Sequence, residues 1–406
     1  MWHASSRFKL EEVACNKLWI IPQKGNKKMK KKIVMTVLAF TTLTGLLASC
    51  SGTSKRTFDD STYAGYKVDL NGDGTISDSE KNLTWANSYD AIVDAVKATS
   101  DNDKRFKLMH AAETELMSTG CIVPIYWYTD AFMKKENMTG FYGSPLGFKF
   151  FEEAQVGGSG EFTACIASAP GTIDPALNST VDGGTYDSAC FEGLYRWSYA
   201  GAYPDGTLSL VPGVAKEAPV KTTNSDGTVD YTFTLRDNLK WSDGTSYDAN
   251  DFVRSWKRSV CSTTAADYAY LFEAIKGGAE AEAEADAASL AVSAPTNNTL
   301  KVTLVSDIPY FLELTAFPAF MPVPESADVA GTWVAQGKTP VGNGSMKVTS
   351  YTSSSIVLEK NTNYYGADRV KATKVTFAFS ADDNAMLSSY KANSYQFIDS
   401  VPVDQM

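Results

Sequence analysis

The residues best suited to chemistry lie in one short acidic run, Asp69-Leu70-Asn71-Gly72-Asp73-Gly74-Thr75-Ile76-Ser77-Asp78-Ser79-Glu80. Its oxygen donors follow the spacing of a twelve-residue EF-hand calcium loop. Asp69, Asn71 and Asp73 offer side-chain oxygens, Thr75 its carbonyl, Ser77 a water-mediated contact, and Glu80 a bidentate carboxylate. Gly74 permits the sharp turn and Ile76 packs inward. The preceding Tyr63 to Val68 reads as a strand, so the pattern suits a structural Ca2+ better than a paired sensor; the alternative is a solvent-exposed acidic turn. Other chemistry has little material. The only histidines are His3 and His110, the latter inside an amphipathic helical pattern, which leaves almost nothing for a His-based triad or a His-rich zinc site. No motif sets two carboxylates across a cleft, and there is no phosphate loop or dinucleotide fingerprint. Enzyme readings therefore do poorly.

The amino-terminal pattern indicates export. Lys27, Lys28, Lys30, Lys31 and Lys32 precede an apolar run from Ile33 to Leu47, the length of a signal-peptide core and short of a membrane span. Met29 opens this basic region better than Met1 does. The run ends in Leu47-Ala48-Ser49-Cys50, which resembles a bacterial lipobox and implies that Cys50 carries a lipid anchor; a chance cysteine is the alternative. Residues 1–50 are thus expected to be leader and lipoprotein signal peptide, and residues 51–60 a tether on the outer face of the cell membrane or the periplasmic side. Without residues 1–49 the balance is 28 Lys/Arg against 45 Asp/Glu, from 37 − 9 and 47 − 2, a net charge of −17. So negative a surface disfavours nucleic acid as a partner. Cys121, Cys165, Cys190 and Cys261 remain, with no CxxC spacing; disulfides and free buried thiols both stay open.

The rest divides into residues 61–156, a Gly157-Gly158-Ser159-Gly160 linker, and residues 161–406. Apolar spacing predicts helices over Ser88 to Thr99 and Lys104 to Thr119, then a strand over Cys121 to Tyr128 that Pro124 pushes to a sheet edge. Beyond the linker, strands at Tyr231 to Leu235, Leu300 to Val305 and Lys371 to Phe377 alternate with a helix at Ala249 to Ser259 and a solvated helical stretch at Ala279 to Ala288. This is an α/β pattern. Twenty Tyr, twenty Phe and eight Trp supply enough aromatic surface to line a cleft.

Leu235-Arg236-Asp237-Asn238-Leu239-Lys240-Trp241-Ser242-Asp243-Gly244-Thr245, followed by Ala249-Asn250-Asp251-Phe252-Val253-Arg254-Ser255-Trp256-Lys257-Arg258, closely resembles the signature of the peptide and nickel class of solute-binding proteins, family 5. Thr172-Ile173-Asp174-Pro175, Phe191-Glu192-Gly193-Leu194, Ile308-Pro309-Tyr310-Phe311-Leu312 and Gly342-Asn343-Gly344 fall in that family's order. Residues 161–406 resemble its amino-terminal portion. Ile122 to Tyr128 and Gly140 to Leu146 resemble its carboxy-terminal end, so tail precedes head. The resemblance implies a mixed-sheet, type II periplasmic-binding-protein-like fold, rearranged and lacking much of the second large lobe, with a smaller lobe near residues 195–320. It implies an oligopeptide ligand, delivery to the membrane subunits of an ABC importer, and membrane attachment through the lipid. Ser168, Ala169, Pro170 and Gly171 would lie along the ligand backbone, with Tyr268, Tyr126 and Tyr128 facing the cleft; Tyr268 suits ordinary core equally well. Asn343 and Trp241 read as structural. A calcium-stabilised surface lipoprotein, or a remnant without a transport role, is the alternative.

Overall fold

The computed structural model describes residues 70, 75, 77–81, 85–126, 130–327 and 330–405. The expectations placed on residues 1–69, on Tyr63 to Val68 and on Cys50 lie outside these. The main elements are α1 (Trp85–Ala98), α2 (Asn102–Ser118), β1 (Met133–Lys134), β2 (Glu161–Ile166), α3 (Val181–Cys190), β3 (Val220–Thr223), β4 (Val229–Thr234), α4 (Ala249–Val260), β5 (Val292–Thr296), β6 (Thr299–Leu304), β7 (Met346–Tyr351), β8 (Ser355–Lys360), β9 (Lys374–Phe379), α5 (Asp383–Lys391) and β10 (Phe397–Ile398). An antiparallel ribbon of Tyr195–Ala200 and Thr207–Pro212, two-residue strands, short helices and turns fill the intervals.

A six-stranded mixed sheet in the order β1-β10-β2-β9-β8-β7 forms the larger body. Its centre is parallel, with β2 flanked by β9 and β10; the outer pairs are antiparallel. Strand β2, Glu-Phe-Thr-Ala-Cys-Ile, is covered on both faces at its second half, as the centre of a parallel sheet must be. The second body is an antiparallel sheet, β5-β6-β4-β3. Val229, Tyr231 and Phe233 point to one buried face, the period-two alternation of a half-solvated strand. Helix α4 closes that face. Asp248 and Asp251 form a reciprocal capping box at its start, and Phe252, Trp256 and Val260, four residues apart, present one apolar stripe. The core under this sheet draws on residues from Leu194 to Phe320; the core under the six-stranded sheet draws on Met138 to Ala154 and on residues from Phe162 to Phe397.

The second core shows how the two sequence segments meet. Strand β1, from the tail-like segment, extends the six-stranded sheet by pairing with β10. Phe151 packs edge-on against Phe377 and Phe397 at 5.3 and 5.1 Å. The Glu152 carbonyl accepts from the N–H groups of Lys371 and Ala372. Arg369 reaches Glu152 and Glu153 on one side and Glu192 on the other, at 3.7, 3.2 and 3.5 Å. Tail and head therefore share one core.

Three expectations change. Residues 157–160 form no linker: Val156 and Ser159 exchange backbone hydrogen bonds around Gly157 and Gly158, both at positive φ, a tight hairpin leading straight into β2. Cys121 to Tyr126 forms no strand. Ile125 and Tyr126 are 86% and 76% exposed, and with Pro124 removing a donor and no neighbouring strand alongside, the segment lacks the ladder that would hold it extended. The Ala/Glu-rich stretch is helical only over Gly278–Ala283. All four cysteines beyond Cys50 are free thiols, only Cys121 being exposed. Helices α1 and α2 form as their spacing predicts and pack mutually through Ile92, Leu108 and Ala112.

The two bodies are joined by a buried ion pair. Arg258 on α4 donates twice to Asp174 of the larger body, at 3.0 and 2.5 Å, and the Asp174 carboxylate also accepts from the Trp333 indole (2.7 Å) and the Ala176 N–H (3.0 Å). Removing one partner strands the other charge in a dry interior. Asp174→Ala should lower unfolding free energy by about 3–5 kcal/mol, read as a shift of the urea midpoint at unchanged slope.

Candidate functional site

In open α/β sheets, ligands sit beyond the carboxyl ends of parallel strands. Here those ends belong to β2 and β10. The segment Ala167 to Gly171 leaves β2 and runs over the surface, with Ser168, Ala169 and Gly171 exposed and Pro170 buried. It is pinned rather than loose: the Tyr351 hydroxyl donates to the Pro170 carbonyl (3.4 Å), Ser168 Oγ donates to Asp182 Oδ2 (2.6 Å), and Ser380 N–H donates to Ile166 O (3.1 Å). Asp182 lies in the first turn of α3, whose end Thr180 caps through Gly183 N–H.

Asp399, the residue after β10, donates its backbone N–H to Cys165 O (3.2 Å), which sets its side chain beside the same strand end. Burial pushes its carboxyl up to about 7, helped by the charges of Asp182 and Asp130 and opposed by Lys149 and the Ala167 N–H. Its Oδ1 is buried without a hydrogen-bond partner. Lys149 is buried and pairs with the exposed Asp130 at 3.1 Å. Tyr186, on the inner face of α3, is fully buried with its ring edge-on to Phe377 at 5.1 Å, and its hydroxyl also lacks a partner. Burial first, then the neighbouring Asp182 and Asp399 charges, push its ionisation far above the usual tyrosine range. The strand ends thus carry three carboxylates against one lysine.

Of the residues singled out from sequence, Ser168, Ala169, Pro170 and Gly171 form the outer wall of this site. Tyr268 stands elsewhere, half-buried in the smaller body and edge-on to Phe317 at 5.0 Å. Tyr126 is exposed on the unpaired segment, and Tyr128 lies outside the described residues. Asn343 is structural: it donates to Glu192 O and accepts from Glu192 N–H, locking the Phe191-Glu192-Gly193-Leu194 turn. Trp241 is core. Of the calcium-loop residues, Asp69, Asn71 and Asp73 lie outside the described residues and Thr75 is exposed. Glu80 is buried; its Oε1 accepts from Leu70 N–H (2.7 Å) and its Oε2 from the N–H and hydroxyl of Ser77 (2.7 and 2.6 Å). The twelfth loop position is thus hydrogen-bonded to the second and ninth. Asp399, Asp182, Lys149 and Tyr186 were missed by sequence reasoning. The signal available was Asp399 directly after an apolar pair, at a strand end.

A second concavity, an open groove of about 460 Å³ beside α4, is lined by Asn250, Arg254, Lys257 and Cys261. Arg254 is committed to Asp251 and to the carbonyls of Val323 and Pro324, so the groove offers few free donors.

A mixed sheet with an attached smaller antiparallel body is a fold shared with solved solute-binding proteins. Over residues 209–406 the chain matches the bacterial extracellular solute-binding proteins, family 5 Middle. It is similar to the oligopeptide-binding protein OppA of Bacillus subtilis, 35% identical over 246 residues covering 59% of this chain and 43% of that protein. It is also similar to the periplasmic murein peptide-binding protein MppA of Escherichia coli, 32% identical over 248 residues, 60% of this chain and 44% of that one. The MppA structure in its unliganded open form superposes with a TM-score of 0.53 at 30% identity, covering 61% of this chain and 46% of that one. The chain spans less than half the length of these relatives.

The raised carboxyl of Asp399 has a measurable consequence. The fold favours its neutral form, so it takes up a proton more readily folded than unfolded, and stability falls as pH rises from the ordinary aspartate range through about 7. Asp399→Asn should be more stable than the parent chain by about 1–3 kcal/mol at about pH 8, the gap closing toward pH 4, in denaturant titrations across that range.

Proposed function

We propose that the chain is an exported, lipid-anchored receptor that captures oligopeptides and presents them to an ABC importer. The observation that carries this reading is the exposed, pinned Ser168–Gly171 segment lying along the charged strand ends of β2 and β10. A segment held at that edge can satisfy a ligand's backbone groups while roomy hydrated space accepts varied side chains. The names of the similar proteins, oligopeptide-binding and murein peptide-binding, agree with that chemistry. Cys50 would carry the lipid that tethers the receptor at the membrane. Incubated with a mixed short-peptide pool and transferred to native mass spectrometry, the purified chain should retain one equivalent of peptide. A folded chain retaining none would overturn the receptor reading and favour a surface lipoprotein without a transport role.

A structural calcium ion belongs to the same proposal, supported by the oxygen-donor spacing of Asp69 to Glu80. Asp69, Asn71, Asp73, Thr75 and Glu80 would hold it, and the ion would neutralise the loop's carboxylates. Millimolar calcium should raise the thermal midpoint of the chain, and Asp69→Ala should abolish that rise; an unchanged midpoint in the parent chain would remove the ion.

A further inference from the structure

Between α2 and β1 the chain crosses a joint that neither folded part holds. Helix α2 is closed off by the Thr119 and Gly120 N–H groups, which donate to the Leu116 and Met117 carbonyls (3.3 and 3.2 Å), with Gly120 at φ +69°. From Cys121 to Tyr126 every residue is exposed, Val123, Ile125 and Tyr126 at 74, 86 and 76%. The Cys121 N–H donates to Thr119 Oγ1 (3.0 Å), and beyond it Ile122 to Tyr126 make no hydrogen bond among the described residues. Pro124 fixes its own φ and pushes Val123 away from helical angles, so the stretch stays extended without a partner strand. Exposed loops of the two sheets differ in this respect. Asn224 and Thr228 bond mutually across their turn, Glu284 accepts from Ser289, and Thr352 bonds Ser355. An enzyme that must lay its substrate out as a strand meets resistance there and none at the joint.

We propose that Cys121 to Tyr126 is a processing site for an extracytoplasmic endoprotease with an apolar specificity pocket, and that the cut releases the two-sheet part of the receptor from its membrane tether. The inference rests on the lipid-anchored reading above and adds its regulation. The reaction is hydrolysis: water adds its hydroxyl to the scissile carbonyl carbon, the C–N bond breaks, and the new amine takes the proton. Specificity follows from the residues. No Lys or Arg lies between Lys107 and Lys134, so a trypsin-like pocket finds nothing, whereas Ile122, Val123, Ile125 and Tyr126 offer apolar side chains on exposed backbone. Both products keep their contacts. On one side α1 and α2 have a core of their own around Ile92, Leu108 and Ala112, separate from the cores under the two sheets. Across to the smaller body, Arg105 lies over the Tyr310 ring at 4.4 Å, a contact that adds no shared apolar core. On the other side the chain is held by the pairing of β1 with β10, by Phe132 stacked on Phe397 at 5.4 Å, and by the Lys135 N–H on the Gln396 carbonyl at 3.0 Å. The released part thus keeps Ser168 to Gly171, and a tethered receptor becomes a diffusible one.

The test exposes the purified full chain to thermolysin or proteinase K under native conditions and weighs the fragments by mass spectrometry. A fragment beginning at residues 122–126 should accumulate about a hundredfold faster than any cut appears within residues 130–405, since the joint is open in the folded state and the sheets are not. Comparable rates at the two places overturn the proposal; cuts before residue 70 do not enter the comparison. Ile122→Pro combined with Ile125→Pro should abolish cutting in the joint at an unchanged thermal midpoint, because neither N–H is engaged. Cutting that persists there overturns the assignment to these bonds, and the comparison on the parent chain stands whether or not the variant folds. In an exporting bacterial host the same fragment should collect in the soluble extracytoplasmic fraction while the α1–α2 part stays with the membrane, and the proline variant should remain whole. A parent chain that remains whole and membrane-bound in growing cells overturns the release. Uncut chain found in the soluble fraction overturns the lipid anchor instead, and the cutting of the purified chain then decides the processing site by itself.

Discussion

The parallel pairing of β2 with β9 on one side and β10 on the other is the constraint from which the rest of the larger body follows. Because β2 is the middle strand, its approach and its exit are both fixed. At its start, Gly160 lies where a Cβ would meet Lys371 O at 2.2 Å, so only glycine lets the hairpin from Val156 deliver the chain into register. At its end, the chain has nowhere to go but over the strand ends, which places Ser168 to Gly171 beside Asp399 from the neighbouring strand. The side-chain amide oxygen of Gln396 accepts from Thr163 N–H at 2.9 Å and its backbone N–H donates to Thr163 O at 2.8 Å, so the β10 register and hence the position of Asp399 are locked to β2. The site is a consequence of strand order, assembled from residues more than two hundred positions apart.

Buried charge then joins the parts that strand pairing does not. Arg258 and Asp174 bridge the two bodies, and Arg369 with Glu152 and Glu192 bridges the tail-like and head-like segments. Such pairs contribute little net stability over an apolar alternative, because desolvation offsets most of the Coulomb attraction. Their geometric demand is the more useful property. Asp174 takes four donors from three separate regions, Arg258, Trp333 and Ala176, and Glu192 takes the hydroxyls of Tyr364 and Tyr365 together with Arg369. Slight displacement of either body would leave several of these groups unpaired at once. The arrangement selects one relative placement of sheet and smaller body.

Local periodicity made much of this legible. Helix α4 follows from Asp248, Asp251 and the Phe252, Trp256, Val260 stripe, and β4 from the alternation of Val229, Tyr231 and Phe233, because in both the burying face is written within a dozen residues. The failures share a physical cause. Ile122 to Tyr126 has the composition of a strand, but a strand is a relation between two segments, and no neighbour comes alongside among the described residues. Gly157 to Gly160 has the composition of a linker, but two residues at positive φ between paired neighbours make a hairpin, and composition cannot tell the two apart. The site shows the same limit. Ser168 to Gly171 was visible through its resemblance; Asp399, Asp182 and Tyr186 were not, since each is unremarkable until β10, α3 and β2 bring them together.

The distribution of unpartnered groups argues that the strand ends are more than a structural seam. Elsewhere in the larger body, buried polar side chains find company: Asn343 bonds both Glu192 and Tyr247, Asn361 holds Gly344 O, and Tyr142 donates to Glu152. Around α3 the pattern reverses, with Tyr186 Oη, Asp187 Oδ1 and Asp399 Oδ1 all lacking partners within one neighbourhood. Burial raises the ionisation of all three groups, which is the cost the fold bears for holding them there. Two guanidinium nitrogens of the Glu192 network, Arg196 Nε and Arg369 Nε, are unpartnered as well. Asp187, on α3 itself, has Asn178 on its other oxygen. The register that locks β10 to β2 is what keeps Asp399 in place at that cost.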